Sequence, residues 1–220
     1  MTVNPSAGAT PPPAVACDPL PSRVVLASGN AGKLREFSAL FAPLGMELIP
    51  QGQLGVPDAE EPYGTFLENA LTKARHASRL TGLPAIADDS GLCVDALGGA
   101  PGVYSARYAS MHGGEKSDAA NNALLVRNLA GQANRRACYV ALLVMVQSEQ
   151  NPRPLVGEGL WWGEIVDLPR GDHGFGYDPY FYLPPQGQTA AELDPAEKNR
   201  LSHRAQALRQ LLEKLRPGVA

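Results

Sequence analysis

Short apolar runs alternate with segments of helical periodicity along most of the chain, and this alternation limits the fold more than any other feature. Residues 23–27 (RVVLA) predict a buried strand, residues 28–32 a turn, and the segment from Lys33 onward a helix with apolar residues every three or four positions. A second strand (MELIP) and a third (PAIA) follow, separated by a helix. Strands that alternate with helices are typical of an α/β protein.

Two of the predicted helices carry clear start signals. Thr65 and Glu68 fit a T-x-x-E capping box, and the helix that follows would bury an apolar face that includes Leu67. Asp194 and Pro195 fit the N-cap and first position of the last helix. Between them, the runs ACYVALLVMV and PLVGEGLWWGEIV predict two antiparallel neighbours. The sequence therefore predicts an α/β layer structure with a mixed β-sheet.

Composition narrows the class of protein. With 220 residues, 44% of them hydrophobic, the chain can bury a core as one domain, which we place at residues 23–220. Residues 1–22 are rich in Pro and Ala without periodicity, and we expect a disordered extension. A net charge of −3 argues against nucleic-acid binding, and no apolar run has the length of a membrane span.

Three cysteines, Cys17, Cys93 and Cys138, are far apart and form no C-x-x-C pair. This pattern argues against a disulfide framework or a zinc site. We expect a reducing, cytoplasmic location.

The stretch SGNAGK, residues 28–33, joins a strand to the start of a helix. Small residues let the backbone approach a ligand, and the free N–H groups and dipole of a helix start favour an anion, to which Lys33 adds charge. The spacing is not that of a Walker A motif. The alternative is an ordinary turn capped by Asn30.

Two adjacent carboxylates, Asp88 and Asp89, follow the PAIA strand. At a strand end they would point in different directions, so that one braces the backbone and the other faces a cleft. Together with Glu60 and Glu61 they offer the oxygen ligands that Mg²⁺ prefers. The alternative is that Asp88 or Ser90 caps a turn.

Two further segments carry candidate ligand-binding residues. In the loop 170–181, Phe175 and Tyr177 would sandwich a flat ring, or else would fill the core. In the last helix, residues 198–204 (KNRLSHR) offer charge and hydrogen-bond donors for a nucleotide, or else form a solvated basic face.

Taken together, VVLASGNAGKLREF, EEPYGTFLENALTKA, LPAIADDSGLCVDALGGAPGVYSARYA, GFGYDPYF and TAAELDPAEKNRLSHRAQAL resemble the inosine triphosphate pyrophosphatases. These enzymes remove non-standard purine nucleoside triphosphates from the nucleotide pool. The segments stand in the family's order from Arg23 to about Leu215. The resemblance implies an elongated, two-lobed α/β/α protein with a twisted, mixed β-sheet and a central cleft, and a homodimer.

The resemblance also implies roles for individual residues. Asp89 would be the catalytic carboxylate and, with Glu60 or Glu61, would bind Mg²⁺, while Asp88 supports it. The substrate-binding residues implied are Ser28, Gly29, Asn30, Ala31, Gly32, Lys33, Ser90, Phe175, Gly176, Tyr177, Asp178, Lys198, His203 and Arg204.

The reaction implied is hydrolysis of inosine or xanthosine triphosphates, or their deoxy forms, to the monophosphate and pyrophosphate. Two alternatives remain open from sequence: a related pyrophosphatase that acts on modified pyrimidine triphosphates, and a nucleotide-sensing module without catalytic activity.

Overall fold

A computed structural model describes residues 21–215 of the protein. Most of the expected disordered extension, and the last five residues of the predicted domain, lie outside this range. Seven strands form one sheet: β1 (Arg23–Leu26), β2 (Glu47–Pro50), β3 (Ala85–Val94), β4 (Arg136–Val146), β5 (Leu155–Ile165), β6 (Phe181–Leu183) and β7 (Gln188–Thr189).

The sheet is mixed, with the order β2-β1-β3-β4-β5-β6-β7. β1 lies parallel to both β2 and β3, and every later pair is antiparallel. The long hairpin predicted from the two apolar runs is β4 and β5, in register from Arg136 opposite Glu164 to Met145 opposite Leu155. The predicted α/β class and mixed sheet are confirmed.

The described residues form five α-helices that pack on the sheet: α1 (Ala31–Phe41), α2 (Phe66–Thr81), α3 (Asp118–Asn128), α4 (Pro195–Leu201) and α5 (His203–Leu215). The predicted caps are present, because Asn30 accepts from the Lys33 N–H and Thr65 from the Glu68 N–H. Within residues 21–215, no helix is long and apolar enough to cross a membrane.

The two faces of the sheet carry separate apolar clusters. One face packs against α2 through a cluster that includes Ala74 and Val144. The other face carries two clusters, one with Phe37 of α1 and Leu208 of α5, and one with Leu129 of α3. Helices therefore cover both faces, as the α/β/α prediction requires.

A polar belt separates the two clusters that share a face. Along β3, Ile86 belongs to one cluster and Leu92 to the other, and Asp88 and Ser90 lie on the same face between them. This belt lies in the middle of the sheet, where the candidate residues meet.

Three local predictions were wrong. β3 does not end at PAIA but continues to Val94, because β4 pairs with its whole length, so both carboxylates lie inside a strand. The final helix is two helices, since Ser202 adopts an extended conformation between α4 and α5. Leu67, predicted to be on the buried face of α2, is 44% exposed.

Candidate functional site

A cavity of about 710 Å³ opens beside the polar belt. Its lining comes from the β1–α1 turn, the loop before α2, the middle of β3, the aromatic loop and the start of α5. Segments that are far apart in sequence therefore form one cleft.

The SGNAGK stretch forms the predicted turn and helix start. Asn30 caps α1, and the Asn30 N–H donates to the Ser28 hydroxyl at 3.3 Å. Gly32 has a different use from the one expected, because a Cβ there would lie 2.7 Å from the Phe175 ring. Its small size lets an aromatic ring pack against the helix.

Asp88 is buried on one side of β3. Its Oδ2 lies 2.7 Å from Lys33 Nζ and 3.6 Å from Arg204 Nε, and it accepts from the Ser90 hydroxyl at 2.9 Å. Burial would raise the pKa of this carboxyl, but Lys33 and Arg204 outweigh it and hold the pKa well below its usual range. Burial lowers the pKa of Lys33, and Asp88 only partly offsets this. Asp88 is thus a fixed counter-ion for two cations.

Asp89 points to the opposite face of the strand, toward α2. Lys73 Nζ lies 3.0 Å from Asp89 Oδ1 and 2.7 Å from Glu61 Oε1. Burial raises the pKa of Asp89, and the Lys73 ammonium, which Asp89 shares with Glu61, offsets only part of this rise. The pKa of Lys73 rises, because its two carboxylates outweigh the opposing effect of burial.

The Asp89 region fits the chemistry of a magnesium site. Asp89 Oδ2 is buried and has no hydrogen-bond partner among residues 21–215, and Asp89 Oδ1 and Glu61 Oε1 converge on the Lys73 ammonium. No group of three or more His, Cys, Asp or Glu side chains in residues 21–215 could hold a metal ion by itself. Mg²⁺ needs only one or two carboxylates beside water and substrate phosphate. Of the two candidates, Glu61 shares a cation with Asp89, whereas Glu60 is exposed.

The two aromatic residues of the loop have different surroundings. Tyr177 is buried in the apolar cluster near α3, and its hydroxyl donates to the Ser105 carbonyl at 2.8 Å. The Phe175 ring lines the cleft, with the Lys198 and Arg204 cations 5.4 and 5.3 Å from its centre. The sequence left two alternatives for these rings, filling the core or contacting a ligand. Tyr177 fills the core, whereas Phe175 presents its ring to the cleft.

Glu36 joins the cations of the last two helices. Its carboxylate lies 2.8 Å from Lys198 Nζ and 2.7 Å from Arg204 Nη1. Lys198 also contacts Asp178 at 2.7 Å, and Arg204 donates to Ser90. These cations are buried, so the alternative of a solvated basic face is wrong.

His203 lies at the start of α5, with its ring stacked on Tyr139 at 4.7 Å. Burial lowers its pKa well below the ordinary value, and Arg204 adds to the effect. Both ring nitrogens are buried and have no hydrogen-bond partner in the described chain. A neutral imidazole in this position offers one donor and one acceptor to a ligand.

Most of the predicted residues meet in this cleft. Its lining includes Ser28, Gly29, Asn30, Lys33, Glu60, Glu61, Asp89, Ser90, Phe175, Gly176, Tyr177, Asp178, His203 and Arg204. Ala31, Gly32 and Lys198 do not line the cavity, although Lys198 contacts Asp178.

Sequence reasoning missed several polar residues of the cleft. Lys73, Arg107 and Lys116 add positive charge, and Gln51 and Asp58 join the acidic loop. Gln51 donates to Asp58 at 2.6 Å, beside Gly29. The sequence held one signal for Lys73. It lies one helical turn after Asn69 and Ala70, which are on the buried face of α2, so its side chain lies near that face.

Known proteins of one family resemble this chain in sequence. The sequence model of the Ham1 family matches residues 24–214. The chain is 75% identical over 194 residues to the dITP/XTP pyrophosphatase of Bordetella pertussis, covering 88% of this chain and 91% of the relative. It is 68% identical over 194 residues to the protein of that name from Ralstonia nicotianae, covering 88% and 96%.

Solved structures also resemble this chain in fold and sequence. A HAM1 protein from Coxiella burnetii superposes with a TM-score of 0.80 at 49% identity, covering 88% of this chain and 98% of that one. A nucleoside-triphosphatase, or dITP/XTP pyrophosphatase, from Mycobacterium abscessus gives 0.67 at 43% identity, covering 86% and 98%. The resemblance inferred from the ordered motifs is confirmed, and the chain belongs to the Ham1 family.

Proposed function

We propose that the protein hydrolyses non-standard purine nucleoside triphosphates, the ribo and deoxy forms of inosine and xanthosine triphosphate, to the monophosphate and pyrophosphate. The observation that carries the proposal is the buried Asp89 carboxylate, one oxygen of which has no partner in the described part of the chain, in a cleft with Lys33 and His203. The names of the 75% and 68% identical relatives support the same substrates.

The start of α1 is the proposed binding site for the triphosphate. Ser28, Gly29, Asn30 and Lys33 line this part of the cleft, and the dipole of α1 favours an anion at its N-terminus. Lys33 is paired with Asp88, so its position is set before substrate binds. Fixed donors and charges of this kind stabilise the charge that develops in phosphoryl transfer.

Asp89 is the proposed group that orients the attacking water. Its Oδ2 has no hydrogen-bond partner within residues 21–215 and is available for a water proton. Asp89 and Glu61 would hold Mg²⁺. The metal, when bound, would neutralise charge on the phosphate oxygens.

The Phe175 ring, the neutral His203 and Arg204 form the proposed base site. Phe175 offers a face for stacking, and Arg204 has donors only, which suits an oxygen acceptor. Inosine and xanthosine carry a 6-oxo group where adenosine carries an amine. Adenine would leave buried donors unpaired, and such a mismatch strongly disfavours ATP relative to the 6-oxopurine triphosphates.

A nucleotide panel tests this function. Pyrophosphate release is measured with ITP, XTP, GTP, ATP and a modified pyrimidine triphosphate, with and without Mg²⁺. We expect Mg²⁺-dependent release that is fastest with ITP or XTP. Preference for the pyrimidine would favour the related pyrophosphatase class, and binding of ITP without release would favour a sensing module; either result overturns the proposal.

A homodimer is proposed through an open part of the sheet. On β5, Leu160 and Trp162 are 40% and 46% exposed beside Val140 of β4. The Arg136 guanidinium lies over the Trp162 ring at 4.0 Å, and a two-fold dimer would place this same patch of both copies face to face. Trp162→Glu should give a monomer by light scattering, whereas Leu168→Glu, at a 76% exposed side chain elsewhere, should not. A monomeric wild-type protein at micromolar concentration would contradict the dimer.

The cytoplasm is the proposed location. Cys93 and Cys138 lie opposite each other on β3 and β4 and form no disulfide within residues 21–215, which fits a reducing compartment.

A further inference from the structure

Helix α3 carries two adjacent buried asparagines that hold different parts of the fold. Asn121 accepts from the Ala109 N–H at 2.8 Å and donates to the Ala106 carbonyl at 3.4 Å. Asn122 donates to the Gly176 carbonyl at 2.9 Å, in the aromatic loop. The neighbouring side chains are therefore alike in burial and chemistry and differ in the segment that they hold.

Asp118, one turn before Asn122, completes the contact with the aromatic loop. The Gly176 N–H donates to Asp118 Oδ2 at 2.8 Å, so α3 binds both backbone polar groups of one residue. Gly176 has φ +64°, a left-handed conformation that favours glycine. Two side chains of one helix thus fix the residue that stands between Phe175 and Tyr177.

Each end of this short loop is anchored by a different contact. The Phe175 N–H donates to Asp178 Oδ2 at 2.9 Å, and Asp178 is held by Lys198. Tyr177 is fixed by its hydrogen bond to Ser105. The peptide between these anchors is held by α3, and this contact sets where the Phe175 ring stands in the cleft.

We propose that Asp118 and Asn122 are positioning residues for base selection, acting through Gly176 on the Phe175 ring. This inference rests on the proposed function, which places the base beside that ring. Asn122 does not line the cavity, so its effect passes through the loop. Lys33 and Asp89 belong to other elements, so loss of the contact leaves the phosphate end in place.

Asn122→Ala and Asn121→Ala form the test and its matched control. For Asn122→Ala we expect the kcat/KM ratio of ITP to ATP to fall about fivefold, the equivalent of one hydrogen bond of about 1 kcal/mol. The change should appear in KM for ITP, with kcat within about twofold of wild type. Asn121→Ala should lower the melting temperature about as much as Asn122→Ala does, and it should leave the ITP to ATP ratio of kcat/KM unchanged.

Asp118 provides a test that does not depend on turnover. Asp118→Asn keeps an oxygen acceptor for the Gly176 N–H, so the Gly176 backbone amide should stay protected from hydrogen exchange. Asp118→Ala removes the acceptor and should leave the Gly176 amide unprotected. Asp118→Asn should also retain the wild-type ITP to ATP ratio, and Asp118→Ala should not.

An unchanged ratio in Asn122→Ala, or an equal loss in Asn121→Ala, would overturn the inference and would show that the asparagines serve stability alone. Unchanged exchange of the Gly176 amide in Asp118→Ala would also overturn it. If the wild-type protein releases no pyrophosphate from ITP, the proposed function fails first. The exchange experiment would then still report separately whether α3 fixes the loop.

Discussion

Replacement of Lys73 by methionine should destabilise the protein in a way that depends on pH. The lysine ammonium is bound by Asp89 and Glu61, and its side chain is 11% exposed. Methionine keeps most of the apolar length of the side chain and removes the charge. Asp89, itself 8% exposed at its side chain, then loses its cation.

The size of the effect follows from this burial. Removal of one partner of a buried ion pair costs about 3 to 5 kcal/mol, because the other charge stays buried and uncompensated. Glu61 is more exposed and keeps Arg107 at 3.5 Å, so it adds little. We expect a loss of about 3 kcal/mol at pH 8, or about 6 to 12 °C in melting temperature for a chain of this size.

The sign of the pH dependence is set by Asp89. Its folded pKa is already above the ordinary value because of burial, and it rises further when Lys73 is removed. A raised folded pKa adds stability at a pH below the unfolded pKa, and this stability is lost as the pH rises through the folded pKa. The loss caused by Lys73→Met should therefore grow from about pH 4 to pH 8.

Urea unfolding of Lys73→Met and wild type, measured at several pH values in this window, gives the difference in unfolding free energy directly. Lys116→Met, at an exposed lysine of the same cleft, is the control and should cost less than about 0.5 kcal/mol. An equal loss for Lys73→Met at pH 4.5 and pH 8 would refute the reasoning, because it would show that Asp89 does not depend on this cation.

Two further predictions concern packing and acid stability. Gly159→Ala should cost about 3 kcal/mol or more by urea unfolding, because its Cβ would clash with the His203 carbonyl oxygen and push α5 off β5. Gly52→Ala, with open space around it, should change stability little, and equal effects of the two substitutions would contradict this packing. Asp88 has a depressed pKa, so its contribution to stability is present above the unfolded pKa of about 4 and is lost as the pH falls. Asp88→Asn should therefore flatten the acid dependence of the unfolding free energy between pH 6 and pH 3, and an unchanged slope would rule out this role.

Local signals were enough to predict where several elements begin. Asn30 and Thr65 cap helices with their own side chains, and the apolar periodicity of α1 and the hairpin strands comes from burial of one face. Such features depend on residues a few positions apart. The ordered motifs also located the cleft, since they supply most of its lining.

Tertiary contacts decided the features that were missed. Asp-Asp-Ser-Gly favours a turn by local propensity, yet pairing with β4 keeps these residues in a strand and sends Asp88 and Asp89 to opposite faces. Glu36 and Lys73 resemble ordinary charged residues on helix surfaces. Their roles depend on partners such as Arg204, which is 168 residues away from Glu36, and no local pattern records such a pair.

Pyrophosphate release from ITP by Asp89→Asn tests the central claim most directly. Asparagine has nearly the same shape, so ITP binding measured by calorimetry should remain within about tenfold of wild type. Release in the presence of Mg²⁺ should fall by at least about 100-fold, the contribution typical of a positioned general base. Near-normal release by Asp89→Asn would contradict the assignment of this carboxylate, and with it the mechanism proposed for the cleft.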